Sequence, residues 1–64
     1  MARPIYLNWK GPQGRETVDS VELDATYWPT ARAMRKEANR LCSEYAQCGM
    51  AVYQSARPCA NWRA

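Results

Sequence analysis

Met34, Ala38, Leu41, Tyr45 and Cys48 follow one another at spacings of four, three, four and three, and Cys42 widens the same stripe. That recurrence places one apolar face on an α-helix running from Thr30 to Cys48. The opposite face carries Arg32, Arg35, Lys36, Asn39, Arg40, Ser43, Glu44 and Gln47, so the helix must lie on an apolar layer rather than be buried all round. Pro29 suits the first helical turn, and Gly49 suits the left-handed position just past the end. Asp24, Thr26 and Thr30 compete for the capping position. The chain has 64 residues, too few for two hydrophobic cores, so residues 1–64 read as a single domain.

The layer under the helix comes from the first third of the chain. From Pro4 to Lys10, Ile5, Leu7 and Trp9 alternate with Tyr6, Asn8 and Lys10, the period of a half-buried strand. Gly11-Pro12-Gln13-Gly14 breaks the run with turn residues. Glu16 to Leu23 resumes it, with Val18 out of phase with Val21 and Leu23. Either a bulge lies near Asp19-Ser20, or Val18 faces the second surface. Met50 to Ala56 reads as a third strand with Met50 and Val52 inward and Tyr53 outward, ended by Pro58. The order β-β-α-β, with a right-handed crossover, predicts an α+β fold. Its sheet is three-stranded and antiparallel in order 2-1-3, with the helix packed on one face. Ile5, Leu7, Trp9, Val21, Leu23, Leu41, Tyr45 and Val52 are expected to form most of the core, and nothing remains to cover the far face of the sheet.

Composition removes several classes of function. No run approaches the roughly 18 apolar residues of a membrane span. Met1 to Tyr6 has no apolar signal-peptide segment, so the expected location is the cytoplasm, with no membrane partner. There is no His, which removes the usual neutral-pH proton-transfer group. Without it no Cys-His or Ser-His nucleophile can be assembled. Glu37 and Glu44 read as surface carboxylates, and Gly11-x-x-Gly14 lacks the lysine and following helix of a phosphate loop. Three cysteines, Cys42, Cys48 and Cys59, are one ligand short of a zinc site and show no CxxC pair. Cys42 and Cys48, about 9 Å apart along a helix, cannot bond each other there. The expectation is a protein that is not an enzyme and uses no cofactor or metal.

Charge is segregated within a net of +3. Residues 16–24 hold Glu16, Asp19, Glu22 and Asp24 without a Lys or Arg, whereas residues 30–40 hold Arg32, Arg35, Lys36 and Arg40 against Glu37 alone. Arg3, Arg57 and Arg63 add positive charge near the termini. An acidic edge strand discourages sheet pairing. The two-signed surface also suits a protein partner with complementary patches. Tyr6 and Tyr53, with Lys10, Asn8 and Ser55, share the sheet face away from the helix. Such an aromatic face can stack bases, so a small nucleic-acid-binding module is the alternative reading. A homodimer joined across that face is the third. Trp28 and Trp62 read as core lids or exposed anchors.

Tyr45-x-x-x-Gly49-x-x-Val52 followed by Arg57-Pro58-Cys59, on a strand–strand–helix–strand layout, resembles the small T7-type phage proteins that inhibit bacterial RNA polymerase. The likeness spans Tyr45 to Cys59 with one inserted residue, and the helix here is Lys/Arg-rich where that family's is acidic. The resemblance implies a phage-type inhibitor, not an enzyme, that docks on a host complex in the bacterial cytoplasm, RNA polymerase being the favoured partner, and blocks promoter engagement. It also implies a contact role for Arg57, which matches an arginine on the family's last strand. Arg32, Arg35, Lys36 and Arg40 are a second candidate surface, with Tyr6 and Tyr53 a third.

Overall fold

In a computed structural model, which describes residues 3–62, the chain forms β1 (Ile5–Gly11), β2 (Gly14–Val21), α1 (Ala31–Gln47) and β3 (Tyr53–Ser55). The strands form one sheet in the order β2-β1-β3, and both pairings are antiparallel. The helix lies on the face that carries Ile5 and Leu7. Thr30 wins the competition for the cap: its hydroxyl accepts from the Ala33 N–H at 3.1 Å. Asp24 instead closes a tight loop, its carboxylate accepting from the N–H groups of Thr26 and Tyr27 while its backbone pairs with that of Trp28. At the other end Gly49 takes φ +83°, and the N–H groups of Gly49 and Met50 return to the carbonyls of Ala46 and Tyr45. This is the paired 5→2 and 6→1 helix stop that needs a left-handed residue.

Leu7, Val21, Met34 and Ala38 are fully buried, with Ile5, Val18, Trp28, Leu41, Cys42 and Tyr45 packed around them. Three expected core residues are placed differently. Leu23 is half exposed, because β2 ends at Val21 and the Asp24 loop carries the chain off the sheet. Trp9 shares the face of Leu7 but sits at the hairpin end, its ring laid over Gly11, where a Cβ would come within 2.6 Å of it. Val52 is half-buried outside this cluster, because β3 is only three residues long rather than spanning Met50 to Ala56. The register irregularity lies opposite Leu7/Asn8, where Val18 is the extra residue, one position earlier than Asp19-Ser20. Val18 itself packs toward the helix.

Tyr45 fastens the helix to β2 through its hydroxyl, which donates to the Asp19 carboxylate at 3.3 Å. Burial, and then the charge of Asp19, push the Tyr45 phenol above its ordinary value of 10.0. A raised folded value means the contribution is complete below pH 10 and is lost as pH rises through the folded value. Stability is therefore expected to fall above about pH 10, and Tyr45→Phe should flatten that limb. Identical alkaline limbs in denaturant titrations would contradict this.

The far face of the sheet is covered, contrary to expectation, by the chain's own residues 57–62. Thr17 stands opposite Asn8 in the ladder, and both are buried. Thr17 Oγ1 donates to Asn8 Oδ1 at 2.7 Å and accepts from the Cys59 N–H at 2.7 Å. Asn61 closes a two-bond ring on the Thr17 backbone, at 2.8 and 3.1 Å, and Asn8 Nδ2 donates to the Arg57 carbonyl at 3.0 Å. Trp62 then packs edge-on against Tyr6, centroids 6.3 Å apart. Among the described residues no buried side-chain polar atom is left unpartnered. Thr17→Val keeps the shape but orphans Asn8 Oδ1 and the Cys59 N–H, which should cost roughly 1–3 kcal/mol. The Cys59 amide should lose its protection from hydrogen exchange; protection equal to the parent's would show that the strap does not depend on this hydroxyl.

Candidate functional site

Of the candidate surface residues, Arg32, Arg35, Lys36, Arg40, Tyr53 and Arg57 are exposed and Tyr6 is half-buried. Arg32, Arg35 and Lys36 are exposed on the N-terminal half of α1. Among the described residues none of the three has a carboxylate within 4.0 Å. Arg40 is exposed too, but it is spoken for: Nη1 meets Glu44 at 2.7 Å, and Nε and Nη2 fork onto Glu37. That contact holds the Glu37 carboxyl below its usual range and the Arg40 guanidinium above its own. Arg40 is thus part of a helix-surface ion network rather than a free cation.

The cations sit where the helix least favours them. The first turn of α1 holds no acidic residue and the last turn no basic one, while Arg32 lies in the first turn against the positive end of the helix dipole. Arg32→Glu should therefore raise folding stability by roughly 0.3–1 kcal/mol. An unchanged or lowered denaturation midpoint would show that Arg32 has a structural partner.

Arg57 is exposed just beyond β3, and its side chain makes no hydrogen bond with the described residues. Its backbone is fixed, its N–H donating to Ser55 Oγ at 3.1 Å and its carbonyl accepting from Asn8. The end of the sheet where β3 finishes is also where β1 begins, because Tyr6 pairs with Ser55. Arg3 and Arg35 both line one cleft there, of about 280 Å³. The sequence marks Arg3 only as positive charge near a terminus; its place beside Arg35 depends on the β1–β3 register, which has no local signal. Arg63 lies outside the described residues.

The third surface is not assembled as expected. Tyr53 is exposed on the far face, but Tyr6 is half-buried under Trp62. The open aromatic face that suited stacked bases, or a second copy of the chain, is occupied by the C-terminal strap. An exposed apolar patch arises elsewhere, from Leu23 and Tyr27 on the loop before α1, where Tyr27 and Trp28 border a groove of about 420 Å³ with Lys36. Periodicity assigns Leu23 to the core through its phase with Val21, and Tyr27, in an irregular loop, carries no periodic signal.

Cys42, Cys48 and Cys59 are free thiols, and the described residues hold no cluster of three or more metal-ligating side chains. No helix among them is long and apolar enough to cross a membrane. No protein-family model matches this chain, and neither a curated protein nor a solved structure matches it.

Proposed function

We propose that this chain is a phage-type binding protein, not an enzyme, that docks on a bacterial host complex and inhibits it by occlusion, with RNA polymerase the favoured target. The observation that carries the reading is the group of exposed cations Arg32, Arg35 and Lys36 on α1, with Arg57 exposed separately beyond β3, none with a carboxylate within 4.0 Å among the described residues. A basic patch that opposes its own helix dipole is suited to an acidic partner surface, where charge complementarity sets specificity and association rate. The resemblance around Tyr45–Cys59 supplies the target, and it implies a contact role for Arg57. The ladder and the strap fix the backbone that carries these groups before the partner arrives, which lowers the ordering cost of binding.

The test is gel filtration of the purified chain with purified bacterial RNA polymerase at about 0.3 M salt, a condition that strips most phosphate contacts, followed by promoter-dependent transcription. Co-elution with loss of transcription is expected. Separate elution with undiminished transcription would overturn the target, and capture of DNA alone at low salt would favour the nucleic-acid reading.

A further inference from the structure

We infer that the cleft between the start of β1 and helix α1 is a carboxylate-binding subsite that receives a glutamate side chain of the partner protein; this rests on the proposed role as a binding protein. The cleft of about 280 Å³ is lined by two arginines, Arg3 from the segment before β1 and Arg35 from α1. Among the described residues neither has a carboxylate within 4.0 Å, and neither donates a hydrogen bond. Each guanidinium offers five N–H donors and no acceptor, so the cleft is rich in donors of fixed positive charge. An anion in such a cleft is attracted by both positive charges.

The remaining walls decide which anion. Pro4, Ile5 and Ala56 present apolar surface, and Gln54 ties β3 to α1 beside the cleft by donating to Asn39 at 2.6 Å. A glutamate fits this lining along its length. Its methylene stem lies against Pro4 and Ile5 while its carboxylate takes the forked, two-bond pairing that arginine favours. A phosphodiester has no such apolar stem to place there, and its neighbouring sugars and phosphates would have to leave the cleft on both sides.

The test follows the side-chain Nε–Hε resonances of the 15N-labelled chain during titration with tetraglutamate and, separately, with an oligothymidylate of equal charge. Tetraglutamate should move the Arg3 and Arg35 signals together and saturably, and Arg35→Gln should weaken that binding about tenfold, the loss of one charge-assisted pair. Saturation at lower concentration by the oligothymidylate would overturn the assignment, as would an unchanged titration in Arg35→Gln. A chain that binds tetraglutamate in this way but not polymerase keeps the cleft and loses the target. A polymerase complex of unchanged affinity in the Arg3→Gln/Arg35→Gln variant overturns the cleft and keeps the target.

Discussion

Leu7→Ala is expected to leave much of the population unfolded at room temperature, with the urea midpoint shifted to near zero. Leu7 is fully buried at the centre of the middle strand, paired with Asp19 on one side and Gln54 on the other, directly beneath the helix. Truncating a buried leucine costs roughly 2–5 kcal/mol, because the transfer free energy is lost and the cavity refills only in part. A chain this short has on the order of 3–10 kcal/mol in total. Leu7, Val21 and Met34 are the only large side chains fully buried among the described residues, so little else can absorb the loss. Leu23→Ala is the internal control. The sequence assigns both leucines to the core, yet Leu23 is half exposed, and its truncation should move stability by no more than about 0.5 kcal/mol. Equal midpoints for the two variants would mean that the sheet is packed in another register.

The contrast between those leucines shows where sequence reasoning reaches and where it stops. The helix was legible because Met34, Ala38, Leu41 and Tyr45 repeat at its own period and Gly49 marks its end. The strand order followed from the element order and the need to lay one helix on one face. Leu23 was misplaced because its phase matches Val21, whereas the capping bonds of Asp24, three residues past the end of β2, are what take the chain off the sheet. The strap was invisible because its energy comes from Asn8, Thr17 and Asn61, polar residues without periodicity. Their partners lie between 9 and 49 positions apart. The buried pair Asn8 and Thr17 was a readable clue only in hindsight of the register: the bulge at Val18 is what sets Thr17 opposite Asn8. At the candidate site, the exposed cations of α1 were legible from helix geometry. The tie of Arg40 to Glu37 and Glu44 uses the i,i+3 and i,i+4 neighbours that helix spacing allows.

The second large effect is on binding. Arg35→Glu with Arg57→Glu should leave the fold intact, since both side chains are exposed and the hydrogen bonds at Arg57 belong to its backbone. Polymerase affinity, by contrast, should fall by about 30-fold or more, since disrupting an interfacial charge pair costs about 2 kcal/mol at the low end of the observed range. The deciding measurement is calorimetric titration of purified RNA polymerase with the parent chain and with this double variant, both checked for an unchanged denaturation midpoint. Saturable binding by the parent and its loss in a folded double variant is the result expected. Equal affinity of the two chains, or no heat of binding from either, would contradict a role for the basic end of this sheet in engaging the polymerase.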